Sequence, residues 1–118
     1  MYITIDGDDV GRKITASYIE NDELKLIKIS NNINDATTKI SSLLYKNGFK
    51  IIFQAADGVT AKIDKDVDLY AIFNEMKSLA FDGITFSAGV GMNLREAYIA
   101  LLNSKSNGKN MLSIYKNI

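Results

Sequence analysis

The sequence predicts a single α+β domain: a mostly antiparallel five-stranded sheet with helices packed on one face. Three observations lead there. Short β-branched or apolar runs are interspersed with stretches of helical period, without a regular strand–helix alternation. Two of the runs are joined by a hairpin signal, Asp57-Gly58. The 118 residues suit one domain, 1–118, able to bury roughly two-thirds of its unfolded surface.

Taken in order, Tyr2–Ile5 is short and β-branched, and an acidic glycine-containing turn follows it, so it reads as the first strand. From Asp9 onward Val10, Ile14 and Tyr18 recur at helical spacing and give a first helix. In residues Glu23–Ser30 the apolar positions Leu24, Leu26, Ile27 and Ile29 fit neither period, so a helix end and an extended excursion both stay open. Asn32–Asn47 carries the stripe Ile33, Ala36, Ile40, Leu43, Leu44 and stops at Asn47-Gly48. Phe49–Gln54, apolar but for Lys50 and Gln54, predicts a central, buried strand, with Val59–Ile63 as its hairpin partner.

Asp64–Asp68 leads into a helix with Leu69, Ile72, Phe73, Met76 and Leu79 on one face, ended by Asp82-Gly83. Ile84–Val90 alternates strictly, which predicts a strand with one packed face. Asn93–Ser104 is helical, with Asn93 and Glu96 spaced as a capping box and Leu94, Ala97, Tyr98, Leu101 and Leu102 directed at the sheet. Asn107-Gly108 breaks that helix, and Met111–Tyr115 is the last strand.

Composition excludes much chemistry. There is no Cys and no His, so thiolate zinc sites, cysteine nucleophiles and Ser-His-Asp triads are out. Fourteen basic and fourteen acidic side chains cancel, leaving no global field for nucleic acid or an anionic membrane. The first residues form neither a basic nor an apolar leader, and no apolar run approaches ~20 residues. A cytoplasmic location is the expectation.

The chemistry-bearing stretch is Asp6-Gly7-Asp8-Asp9-Val10-Gly11, between the first strand and the first helix. Two carboxylates ~4 Å apart repel by roughly 4 kcal/mol at an effective dielectric of ~20, so several at one turn call for a shared cation. Mg²⁺ uses one or two carboxylates plus phosphate oxygens. Backbone amides of Asp9, Val10 and Gly11 would open a helix and cradle phosphate. If the first strand and Phe49–Gln54 are neighbours, Asp57 shares a sheet edge with Asp6, and the two bracket one metal. Lys105 and Lys109 follow the sheet-facing stripe of the last helix and could meet the distal phosphates. Alone, each piece is explained by an Asp-capped turn, an Asp-Gly hairpin and a lysine-rich helix end. Asp64 to Glu75 has the span of a calcium loop, but Leu69 stands where that loop requires Gly. No aromatic RNA-reading signature is present.

Four motifs in one order resemble the palm-type nucleotide cyclases. They are Asp6-Gly7-Asp8-Asp9-Val10-Gly11, Ala56-Asp57-Gly58, Ser87-Ala88-Gly89-Val90-Gly91, and Ser104-Lys105-Ser106-Asn107-Gly108-Lys109-Asn110. The nearest likeness is to the minimal CRISPR polymerase-like (mCpol) group, related to GGDEF diguanylate cyclases and the CRISPR polymerase palm. The resemblance implies a ferredoxin-like palm sandwich. It implies Asp6, the Gly7 carbonyl and Asp57 as ligands of Mg²⁺ or Mn²⁺, and Asp6 and Asp57 as the catalytic pair. Gly7, Asp8, Asp9, Val10, Gly11, Lys105 and Lys109 would bind the nucleotide. The implied reaction is attack of a ribose hydroxyl on an α-phosphorus, with metals stabilising the attacking and leaving oxygens.

The product implied is a cyclic di- or oligonucleotide serving antiphage signalling, made by a homodimer and read by a separate effector. This sequence departs from GGDEF proteins at Ala55-Ala56, where they carry two glycines, and at Gly58, where a second acid is usual. Ile14 replaces the amide of guanine-specific relatives, which favours ATP over GTP. A palm-type GTP cyclohydrolase and a nucleotide-binding module without turnover are the alternatives.

Overall fold

A computed structural model describes the chain from Met1 to Ile118. Its elements are β1 (Tyr2–Gly7), α1 (Val10–Ile19), α2 (Glu23–Lys46), β2 (Lys50–Ala55), β3 (Gly58–Lys62), α3 (Leu69–Lys77), β4 (Phe86–Gly91), α4 (Leu94–Ser106) and β5 (Leu112–Ile114). The sheet order is β2-β3-β1-β4-β5. Every pairing is antiparallel except that of β4 with β5. This open mixed sheet with four helices is the predicted α+β architecture and is compatible with a palm-like fold. No helix is long and apolar enough to cross a membrane.

β1 is the middle strand, and its alternation sorts the molecule into layers. Ile3 and Ile5, each 1% exposed, point to the face where Phe86, Ala88 and Val90 of β4 and Val59 and Ala61 of β3 meet α2 and α3. Ala36, Ile40 and Leu44 come from α2, and Ile72, Phe73 and Met76 from α3. Thr4 and Asp6 fall on the other face. There the register sets Asp6 opposite Gly58 on one side and Ser87 on the other. Alternation in β1 therefore separates the core from the site.

Helices cover both faces, not one as the sequence predicted. α4 lies on the Thr4–Asp6 face because β4 presents Ser87, Gly89 and Gly91 there. A Cβ on Gly89 would stand 2.1 Å from Leu101 N, and one on Gly91 2.6 Å from Ala97 N. With both faces covered, all six residues of β4 are buried, where alternation had pointed to one packed face. The face of α4 that packs is accordingly Ala97, Ala100, Leu101 and Ser104. Leu94, Tyr98 and Leu102, assigned to the sheet from the sequence, are exposed. Glycines on the strand select small residues on the helix, and bulk moves outward.

Two further expectations change, and one open reading is resolved. β2 is an edge strand, not a central one, because the hairpin gives β3 the place beside β1. Ile52 and Phe53 are exposed, and a register shift interrupts the pairing between Ile51 and Phe53. The hairpin turn is Ala56-Asp57, one residue earlier than expected, with Ala55 paired to Gly58. The ambiguous Glu23–Ser30 belongs to α2, which runs unbroken for 24 residues. Asp22 caps it by accepting from Lys25 N at 3.0 Å. The period was hidden there because Leu24 and Ile27 face solvent and only Ile29 is buried.

The start of α4 follows the sequence more closely. Asn93 Oδ1 accepts from Glu96 N at 2.8 Å, and Glu96 Oε1 accepts from Met92 N at 3.0 Å. The carboxylate reaches one residue further back than the usual reciprocal pair.

The Gly89 contact is directly testable. Gly89→Ala should lower the unfolding free energy in urea by about 3 kcal/mol, the upper part of the overpacking range. Gly11→Ala meets nothing within 4 Å and should leave it level or raise it by up to ~1 kcal/mol.

Candidate functional site

The turn from β1 to α1 is built around a buried charge. Asp8 is 3% exposed. Its Oδ1 accepts from Ser87 Oγ and Lys105 Nζ, each at 2.7 Å, and its Oδ2 from Thr85 Oγ1 at 2.6 Å and Asn110 N at 3.0 Å. Four donors fill the lone pairs of the carboxylate. Burial pushes the Asp8 carboxyl up, but hydrogen bonds from Lys105, Thr85, Ser87 and Asn110 outweigh it and hold it below the ordinary range. Asp8 N also donates to Thr85 O at 2.8 Å. Expected as a nucleotide contact, Asp8 instead lies behind the site and ties β1, β4 and the segment after α4 together.

Lys105 lies at the centre of that knot. Its Nζ donates to Gly7 O at 2.8 Å and Asp6 O at 3.4 Å, and it pairs with Asp6 Oδ2 at 3.4 Å. The Gly7 carbonyl, expected among the metal ligands, thus already accepts the ammonium and keeps one lone pair. Lys109 donates to Asp9 Oδ1 at 2.7 Å. That hydrogen bond comes first in holding the Asp9 carboxyl below its ordinary value, with Arg12 adding its charge. Both lysines therefore reach the acidic turn, and in the ligand-free chain their partners are its carboxylates.

Asp6 and Asp57 converge. Gly7 N donates to Asp57 O at 3.1 Å. A Cβ on Gly7 would stand 3.2 Å from Asp57 Oδ2 and 2.6 Å from Val10 Cγ2, so only Gly fits there. Burial, and then the negative charge of Asp57, raise the Asp6 carboxyl above its ordinary value against the pull of Lys105. Nowhere does the chain gather three or more carboxylates into one metal-binding group. The donor set is a pair of oxygens under mutual repulsion. It fits a hard cation such as Mg²⁺ or Mn²⁺ that takes its other ligands from water and phosphate.

Beside this pair opens a cleft of about 500 Å³, lined by Val10, Gly11, Ile14 and Tyr18 of α1, by Leu26, Ser30, Ile33 and Asn34 of α2, and by Ala56 and Asp57. No side chain caps α1, so protein groups leave its first amides available where Val10 and Gly11 line the cleft. The α2 residues were missed from the sequence. The signal was there: Ser30 and Asn34 are polar, four apart, and follow directly on the buried Ile29 and Ile33.

Backbone strain concentrates at the rim. Of six non-glycine residues with positive φ, four lie here: Asp9 (61°), Ala56 (50°), Lys109 (65°) and Asn110 (51°). Such conformations cost about 1–3 kcal/mol each and persist where surrounding contacts impose them.

A family model for the minimal CRISPR polymerase domain, mCpol, matches residues 2–115. The chain belongs to this family. No curated protein matches it. The matched span covers the candidate site from Asp6 through Asp57 to Lys109, and the family suggests a CRISPR-associated domain of polymerase or cyclase type.

Asp8 makes the stability of this mCpol domain pH-dependent. Its folded pKa lies below the unfolded one, so its contribution is present above about pH 4 and is lost as pH falls through the folded value. Asp6, raised, acts in the opposite sense, its contribution present at low pH and lost as pH rises. Asp8→Asn leaves Lys105 without its main partner. Urea unfolding should show a loss of about 3 kcal/mol at pH 7 and a shallower decline on acidification below pH 4.

Proposed function

We propose that this mCpol domain is a metal-dependent nucleotidyl cyclase. It joins ribonucleoside triphosphates, ATP in preference to GTP, into a cyclic di- or oligonucleotide and releases pyrophosphate. The observation that carries the reading is the placement of Asp6, in β1, and Asp57, in the turn between β2 and β3, side by side at the edge of a cleft of about 500 Å³, a volume typical of small-ligand sites.

Each part of the surroundings suits one part of a nucleoside triphosphate. The uncapped amides at the start of α1 favour an anion, which orients the phosphate chain toward the two aspartates. Lys109, with one ion-pair partner in Asp9, can exchange that carboxylate for a phosphate. The apolar walls from Val10, Ile14 and Ile33 take a base, with Tyr18 at hand to stack on it. Asp57 is the only carboxylate among the lining residues, and it is engaged with Asp6. The N1–H and N2–H donors of guanine therefore lack a free carboxylate acceptor. Asn34 offers one donor and one acceptor and can meet the edge of either purine, so the preference for adenine rests on that missing acceptor and on Ile14.

Asp6 and Asp57 would hold Mg²⁺ or Mn²⁺. A cation bound there supplies positive charge for the attacking and leaving oxygens of an in-line displacement. A ribose hydroxyl of one nucleotide forms a bond to the α-phosphorus of another, and the α–β anhydride bond breaks. Each protomer offers one base cleft, so ring closure brings two protomers together as a homodimer with their clefts facing. Neither nucleic acid nor a membrane surface takes part. Family membership supports the wider role in antiphage signalling, in which a cytoplasmic cyclic nucleotide acts on a separate effector.

Incubation with each of four ribonucleotides and Mg²⁺, read by pyrophosphate release and mass spectrometry, should give a cyclic phosphodiester with ATP preferred. Asp57→Asn should reduce the rate about 100-fold or more and leave the melting temperature equal or higher, since Asp6 loses a repulsive neighbour. A ring-opened guanine product would establish the cyclohydrolase instead. Binding without pyrophosphate release would establish a non-catalytic module.

A further inference from the structure

Lys105 is placed unlike a phosphate-binding lysine. Its ammonium lies among four oxygens: Asp8 Oδ1 at 2.7 Å, Gly7 O at 2.8 Å, and Asp6 O and Asp6 Oδ2 at 3.4 Å. Two of these, the Gly7 carbonyl and the Asp6 carboxylate, are groups that would serve a second divalent ion in a two-metal site. The lysine is held in place from its own helix. Ser104, the preceding residue, is fully buried and donates to Ala88 O at 2.8 Å. Only 22% of the Lys105 side chain is exposed. Withdrawing the ammonium would strip Asp8, buried and fully hydrogen-bonded, of its one charged partner.

We infer that Lys105 is a resident cation that fills the seat of a second metal, so that each bound nucleotide is served by a single divalent ion. This rests on the nucleotide–metal reading of the Asp6–Asp57 pair and refines it. The physical basis is charge and shape. An ammonium is a compact monocation with three donors, and it balances the Asp6–Asp8 side of the site with no ion bound there. One divalent ion between Asp6 and Asp57 then completes the neutralisation. A second divalent ion beside Lys105 would meet like charge within a few ångströms, where repulsion is strong. Lys105 is thus a positioning and charge-balancing residue, and Lys109 is the lysine available to phosphate.

The test counts metal, not turnover. Electron paramagnetic resonance measures free Mn²⁺ as protein saturated with α,β-methylene-ATP is titrated. The wild-type chain should bind one Mn²⁺ per nucleotide. Lys105→Ala, which vacates the seat and exposes its oxygens, should bind two, and Lys105→Arg should stay at one. Lys105→Gln can still donate to Asp8 and serves as the second neutral variant should the alanine variant not fold; it too should bind two. Two Mn²⁺ per nucleotide in the wild type, or one in a folded neutral variant, would overturn the inference while leaving the nucleotide–metal reading intact. Failure of the wild type to bind the analogue with Mn²⁺ at all would overturn both.

Discussion

The site depends on a carboxylate kept charged where solvent cannot reach it. An unpaired buried charge costs several kcal/mol, so Asp8 admits few arrangements around it. It requires hydroxyls from Thr85 and Ser87, an amide from Asn110 and the ammonium of Lys105. Those donors come from β4, from its approach and from α4 with the segment after it. Satisfying one side chain therefore fixes the β1–α1 turn against three separate parts of the chain. The packing of α4 against Gly89 and Gly91 has the same consequence, because a helix held further off could not deliver Lys105.

The free energy held in this knot offsets unfavourable features beside it. Asp6 and Asp57 repel one another, and four residues of the rim hold positive φ. Neither feature helps the ligand-free chain. Both make sense if the site is shaped for something that arrives with positive charge and phosphate. Stability is concentrated in Asp8 and Lys105, while Asp6, Asp57 and Lys109 stay nearer solvent with fewer partners. The fold thus separates the buried Asp8–Lys105 ion pair from the more exposed Asp6–Asp57 pair beside the cleft.

Much of this was legible in the sequence. The five strands, the acidic turn, Asp57 and the two lysines could be read from local patterns, because turn chemistry and hydrophobic period are local properties. What stayed hidden depended on neighbours distant in the chain. The apolar run before the hairpin does not disclose that β2 is an edge strand, since that follows from which hairpin strand pairs with β1. The alternation in Ile84–Val90 showed one packed face, and only the fit of glycines against α4 shows that the other is packed too. Among the aspartates, Asp6, Asp8 and Asp9 look equivalent in sequence. In the fold they meet three different fates: Asp6 faces Asp57, Asp8 is buried, and Asp9, at a left-handed turn, pairs with Lys109 at the surface.

On the proposed reading, Asp6 and Asp57 hold one divalent cation at the edge of the cleft. An anomalous difference map from crystals grown with Mn²⁺ and a non-hydrolysable ATP analogue tests it most directly. The expected result is a peak bridged by the carboxylates of Asp6 and Asp57 and by phosphate oxygens, with the base between α1 and α2. Nucleotide bound with its manganese away from both aspartates, or lodged elsewhere on the fold, would contradict it.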